Sequence, residues 1–264
     1  MKNQSFKVHQ KSKTVIKILI SIVFIVFGHL QIFSQTEGKW YKVNDSECLF
    51  FVADEDLTKL NWSGTCQNGY AYGHGKMEAW DDGVLVYEYE GNLAEGRMNG
   101  KGLFTIVGSG VYEGEFMDGM LHGKGHLKFA NGDEYTGDFK FGAEDGSGTF
   151  TFANGTRYKG DFKEGNAHGF IIIEYANGDR YEGDIYENEH HGSGKLTIKG
   201  EYTYEGVFED GQPQGEGVMI TEKGNKAVGE FRNGELFNGE YLDAATGEKL
   251  GVVAEGVVKR IDEY

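Results

Sequence analysis

Proline is nearly missing from this sequence: Pro213 stands alone among 264 residues that include 42 glycines. With no collagen period, and with 15 tyrosines and 18 phenylalanines, that much glycine excludes both a triple helix and a disordered polar linker. Cysteine is scarce, with only Cys48 and Cys66, so at most one intrachain disulfide can form. No apolar run approaches the roughly 20 residues of a spanning helix; the run from Ile18 to Phe27 is about half that. Positive charge is also in deficit, 26 lysines and arginines against 42 acids, a formal charge of −16. Such a chain repels phosphate, which excludes general nucleic-acid binding and disfavours anionic membranes. The charge also serves to keep a long sheet soluble.

What is present begins with an export signal. The first 34 residues hold five lysines (Lys2, Lys7, Lys11, Lys13, Lys17), no acid, and then the apolar run. This order predicts a signal peptide over residues 1–34, cleaved after Ser34. The alternative is a retained anchor through residues 15–33, because Leu30 to Phe33 extends the apolar segment and Ile32 is large for the −3 position. Either way the lysines stay inside and the remainder is exported to the envelope or the secreted space. No cysteine follows the apolar run to carry a lipid. Without residues 1–34 the chain loses five basic residues and no acids, leaving a formal charge of about −21.

Beyond the leader, Tyr-x-Gly recurs every 23 residues, at Tyr89, Tyr112, Tyr135, Tyr158, Tyr181 and Tyr204, followed by Gly91, Gly114, Gly137, Gly160, Gly183 and Gly206. An apolar residue stands four positions after each tyrosine: Leu93, Phe116, Phe139, Phe162, Ile185 and Phe208. Alternation of period two is a strand pattern. The same grid carries Gly96, Gly119, Gly142, Gly165, Asn188, Gly211 and Gly234, a turn whose one substitute, Asn188, tolerates a left-handed backbone. A second strand follows with Gly-x-Gly, as at Gly123 and Gly125, and the unit closes at Asn131-Gly132, Asn154-Gly155 or Asn177-Gly178, a strong hairpin signal. Each unit is thus two antiparallel strands added to one growing sheet. The face with Tyr112, Phe116, Leu127 and Phe129 should seat rings over Gly114, Gly123 and Gly125, and the opposite face carries Glu113, Glu115, Lys124 and Lys128. Eight units at the usual strand spacing make a rod about 75 Å long.

These segments, typified by Tyr112-Glu113-Gly114-Glu115-Phe116, His122-Gly123-Lys124-Gly125 and Ala130-Asn131-Gly132-Asp133, resemble the MORN (membrane occupation and recognition nexus) repeat. The resemblance implies an all-β, elongated, single-layer antiparallel sheet used for assembly, protein contact or membrane contact. The expected organisation is a pre-repeat segment at 35–60, repeats over 61–240 starting near 62, 89, 112, 135, 158, 181, 204 and 227, and a capping hairpin at 241–264. The end units depart from the pattern: Gly73 to Gly100 spans 27 residues and Ala227 replaces the tyrosine, as terminal caps do. The tail from Phe237 to Val258 reads as a hairpin around Ala245-Thr246-Gly247 that closes the sheet edge.

Cys48 and Cys66, 18 residues apart in the exported part, are expected to form a disulfide worth about 3 kcal/mol. His122, His168 and His191 share one repeat position, but equivalent positions lie about 9.5 Å apart, too far to share a zinc ion. The Gly-x-Gly pairs lack the Gly-Lys-Ser/Thr ending and the strand–loop–helix setting of a phosphate loop. Carboxylates are abundant without any sign of a pocket that would raise one pKa, and no nucleophile elbow is present. No catalytic, cofactor or metal residue is therefore expected. The reading is a non-enzymatic scaffold or protein-binding protein, with direct binding of neutral lipid or glycan by the aromatic face as the alternative.

Overall fold

In the computed structural model the described residues are 38–260, without 45, 54–56 and 187; the leader or anchor predicted at 1–34 lies outside them. Tyr, Gly and Phe alternating with polar residues leave no helical stripe, and the described residues form 21 strands and no helix. From β5 (Tyr70–Asp81) and β6 (Val84–Ala94) onward, each strand pairs antiparallel with the next as far as β20 (Lys249–Ala254) and β21 (Val257–Arg260). Four short strands precede them: β1 (Lys39–Lys42), β2 (Leu49–Val52), β3 (Lys59–Trp62) and β4 (Thr65–Gln67). Both β3 and β4 pair with β5, while β1 and β2 form a hairpin bridged to β5 at Leu49 and Tyr70. Cys48 and Cys66 are disulfide-bonded, with Cα atoms 5.8 Å apart, and tie that hairpin to β4.

The register explains the 23-residue period. Across the strands the glycines stand opposite one another, Gly91 to Gly102, Gly102 to Gly114, Gly114 to Gly125, Gly125 to Gly137, in a row that reaches Gly239 and is interrupted at Ile171. Tyrosine rings lie flat on this row. A Cβ on Gly183 or Gly194 would stand 2.6 Å from the Tyr181 hydroxyl oxygen, and Gly114 and Gly125 are likewise filled by Tyr112. Tyr112, Tyr135 and Tyr204 each meet the phenylalanine of their own strand and that of the next unit edge-on, Tyr112 with Phe116 and Phe139, both at 5.1 Å. Tyr89, Tyr135, Tyr181 and Tyr204 are wholly buried. Burying each ring contributes on the order of 2 kcal/mol.

The strands are bulged beside these glycines. Register slips between Gly114 and Glu115, so that Gly125 opposes Gly114 while His122 opposes Glu115. The bulge releases a carbonyl from the ladder, and the tyrosine hydroxyl takes it: Tyr89 donates to the Asn92 carbonyl at 2.8 Å, Tyr112 to Glu115 at 2.9 Å, Tyr181 to Asp184 at 2.7 Å. Gly123 belongs to this bulge. Its φ is +61° and a Cβ there would meet the Glu115 side chain, so the expectation that it seats a ring is corrected.

Two kinds of turn alternate. The grid glycines end two-residue turns with both residues left-handed, such as Asp118-Gly119 (φ 51° and 88°) and Phe141-Gly142 (51° and 90°); Asn188 adopts φ 65°. Their glycine N–H groups donate to the preceding unit, Gly119 to Met98 and Gly142 to Leu121, stitching one margin of the sheet. The Asn-Gly pairs form the other connection. There Asn131, Asn154 and Asn177 each accept, on the side-chain oxygen, the N–H two residues on, so these are Asx turns inside longer loops. The residue following each pair reaches the next unit: Asp133 accepts from Ala153 N–H at 2.7 Å, Thr156 from Ala176 at 3.2 Å, Asp179 from Lys199 at 2.9 Å. At the far end the tail forms the expected hairpin, β19 (Glu235–Leu242) with β20. It extends the sheet instead of closing it, because β21 then adds a further edge.

One inner position carries a carboxylate among aliphatic counterparts. Met98, Leu121, Ala167 and Leu236 occupy a common inner site where Glu144 stands, 1% exposed, with Oε1 lacking a hydrogen-bond partner. Burial pushes its carboxyl up from 4.5 to about 7. The folded chain thus holds a proton that the unfolded chain loses, so this stability is full below pH 4.5 and declines as pH rises to 7. Glu144→Leu should raise stability at pH 8 by about 3 kcal/mol and flatten the pH dependence between 4.5 and 7, read by urea denaturation. Gly194→Ala, which drives a methyl into the Tyr181 ring, should cost about 1–3 kcal/mol in the same measurement.

Candidate interaction surface

The two faces of the sheet differ in what they can offer. On the inner face the repeat residues Tyr89, Tyr112, Phe116, Tyr135, Phe139, Tyr158, Phe162, Tyr181, Ile185, Tyr204 and Phe208 are all buried, closed against Gly91, Gly137, Gly206 and their neighbours. Burial pushes the tyrosine phenols up, Tyr204 to about 12, so they remain neutral donors to the carbonyls they cap. Rings needed to stack on sugars or enter a lipid interface are therefore not presented there. The outer face is polar and internally paired, with Lys124 to Asp138 at 2.7 Å, Lys128 to Glu134 at 2.9 Å and Arg180 to Glu174 at 3.0 Å. A shallow open hollow on that face is lined by Lys124, Thr136, Ser147, Thr149, Lys159 and Asp161. Its charged groups are engaged already, Lys124 with Asp138 and Asp161 with the Ser147 hydroxyl at 2.9 Å. Exposed pairs of this kind contribute little stability and leave the side chains free to rearrange for a partner.

One unit breaks the packing rule on both faces. In β13 (Asn166–Glu174) the second glycine of Gly-x-Gly is replaced, giving Gly169-Phe170-Ile171, and Ile171 stands opposite Gly160 and Gly183. The Ile171 side chain fills the groove. A Cβ on Gly160 would now meet Ile171, and Tyr158 alone of the six tyrosines does not reach the carbonyl three residues on. Tyr158 leans instead on Phe152, with ring centroids 5.3 Å apart. Beside it, Tyr175 shares a 2.9 Å hydrogen bond with His190 Nε2, and the His190 ring stacks on Tyr181 with centroids 3.7 Å apart. His190 Nδ1 is enclosed without a partner, and burial lowers the imidazole from 6.5 to about 4, so it stays neutral.

Directly across the sheet, this unit and the next expose outer side chains. Phe170 is 57% and Tyr186 is 56% exposed. Phe170 stands opposite Asp184 of β14 (Arg180–Tyr186), Tyr186 lies two residues along that strand, and His191 of β15 (Glu189–Ile198) opposes Asp184 from the other side. Tyr186 and His191 have ring centroids 5.7 Å apart. With exposed His168 two residues before Phe170, this makes a compact patch of two aromatic rings and two imidazoles around one carboxylate. His122 lies apart, against exposed Phe141 at 6.1 Å. Among the described residues no group of three or more His, Cys, Asp and Glu side chains is placed to hold a metal. The patch was not anticipated, although its signal was present: this unit alone, among those from 89 to 226, lacks the Gly-x-Gly pair.

The model of the MORN repeat matches residues 89–110, 112–134, 135–157, 158–180, 181–199 and 204–226, half of the chain. No curated protein matches. Among solved structures, the TCP domain of SAS-4 (dCPAP) of Drosophila melanogaster, in complex with a proline-rich motif of Ana2 (dSTIL), is 14% identical. The match covers 57% of this chain and 81% of that one, at a TM-score of 0.37, and carries no argument about function. The six matched units coincide with the tyrosine-on-glycine strands described above, and the chain belongs to the MORN repeat family, whose repeats serve generally as non-catalytic scaffolds and binding surfaces.

Proposed function

We propose that the chain is an exported, non-enzymatic scaffold of the cell envelope or secreted space, which binds a protein partner through its outer face. The observation that carries the reading is the exposed pair Phe170 and Tyr186, flanked by His168 and His191, on a sheet whose inner-face repeat rings are buried. Aromatic side chains on a rigid sheet supply contact area at low entropic cost, which is how protein interfaces concentrate affinity. The basic, apolar N-terminus supports export. Direct lipid or glycan binding by the inner rings would require the sheet to open, and the acidic charge opposes anionic membranes.

In-cell crosslinking of the tagged full-length chain, followed by mass spectrometry, tests this. One envelope protein should recur with the parent chain and be lost from the double variant Phe170→Glu, Tyr186→Glu, while Leu103→Glu, elsewhere on the same face, retains it. Equal recovery by the double variant, or sedimentation with membrane or wall material and no recurrent protein, would overturn the reading.

A further inference from the structure

The two ends of the sheet are finished differently. At the N-terminal end the outer side of β3 is blocked by an asparagine. Asn44 donates its backbone N–H to the Leu60 carbonyl at 3.1 Å, donates its side-chain amide to the Trp62 carbonyl at 2.6 Å, and accepts the Trp62 N–H at 3.1 Å. The β1–β2 hairpin that carries Asn44 is held by the Cys48–Cys66 disulfide. A further strand has no place to add there.

At the C-terminal end β21 bonds to β20 on one side, and among the described residues nothing bonds to the other. Val253 on β20 is buried, whereas its cross-strand neighbour Val258 is 55% exposed. The difference is the missing next strand. Leu250, Val252 and Val257 are exposed around it, which concentrates apolar surface on an open edge, a combination that invites strand addition. The β20–β21 turn, Glu255-Gly256, is the same two-residue left-handed type as those within the repeats (φ 52° and 76°). In such a hairpin the residues flanking the turn bond to each other, so Val257 and Lys259 bond back to Ala254 and Val252, and Val258 turns its N–H and C=O outward.

We propose that this edge pairs with the same edge of a second copy, antiparallel and centred on Val258, to make a tail-to-tail dimer with one continuous sheet. A two-fold axis perpendicular to the sheet keeps the inner faces of both copies on one side, and sets Val258 beside Val258. Val257 then faces Lys259 of the second copy. The two Lys259 residues thus stand at opposite ends of the pair. Parallel pairing would set Lys259 against Lys259. An isologous contact uses the same edge of both copies, so this pairing closes at two chains.

Sedimentation equilibrium of the full-length, disulfide-bonded chain over a wide concentration range tests the proposal. The mass should rise with concentration and level at two chains. Val258→Pro removes the outward N–H while leaving the β20–β21 bonds intact, and should hold the mass at one chain with unchanged circular dichroism. Val258→Lys and Val258→Glu each set like charges face to face and should weaken association about tenfold or more, whereas their equimolar mixture should dimerise. This charge pair remains decisive even if the proline variant fails to fold. A one-chain mass at every concentration, growth beyond two chains, or association of the lysine variant alone as tight as that of the parent would overturn the proposal.

Discussion

A single sheet has no second layer on which to bury its apolar face, and this molecule answers by laying tyrosine rings flat along a row of glycines. The ring of Tyr112 can lie down only because Gly114 and Gly125 lack Cβ atoms, and its hydroxyl can be buried only because a bulge has freed the Glu115 carbonyl. Ring, glycine floor and bulge are therefore one device. The tight turns set the register that keeps glycine opposite glycine, and Phe116 and Phe139 close the ring from its two edges. Removing any one of these parts leaves either a steric clash or an unpaired polar group beneath an aromatic ring.

This dependence explains how much was legible before the coordinates. Tyrosine, glycine and phenylalanine recur because every unit needs the same device, so the period, the two faces and the left-handed position at Asn188 could be read directly. What escaped depends on neighbours that are adjacent only in space. Gly123 looks like Gly125 in sequence, yet one is a bulge residue and the other a floor for Tyr112. The contacts of Asp133, Thr156 and Asp179 with the following unit span some 20 residues and show only as a polar position after Asn-Gly. The tail was recognisable as a hairpin, but whether it closed an edge or made one depended on β21.

A surface can do chemistry with a carboxylate only where burial and access coincide, and a one-layer sheet separates them. Besides the tyrosines, Glu144 and His190 are enclosed titratable side chains of the inner row, at a repeat position where other units carry Met98, Leu121, Ala167 and Leu236. The outward carboxylates are reachable but solvated and paired. The enclosed pair lacks the solvent access that acid–base catalysis needs. What the architecture does well is hold side chains at fixed spacing along a stiff strip.

Regularity brings its own difficulty, because identical units would offer a partner many equivalent registers. A partner that must sit at one place needs a unit unlike the rest. The replacement of glycine by Ile171 supplies it: the intruding side chain displaces Tyr158 from its floor, Tyr175 bonds to His190 beside it, and Phe170 of this unit and Tyr186 of the next stand on the outer face. The inner disorder in the pattern and the outer patch thus occupy the same three strands. A mutation that restored glycine at 171 would test whether the two are coupled: the ring of Tyr158 should drop onto Gly160, and if Phe170 kept its exposure while partner binding weakened, the inner packing would be shown to position the outer surface.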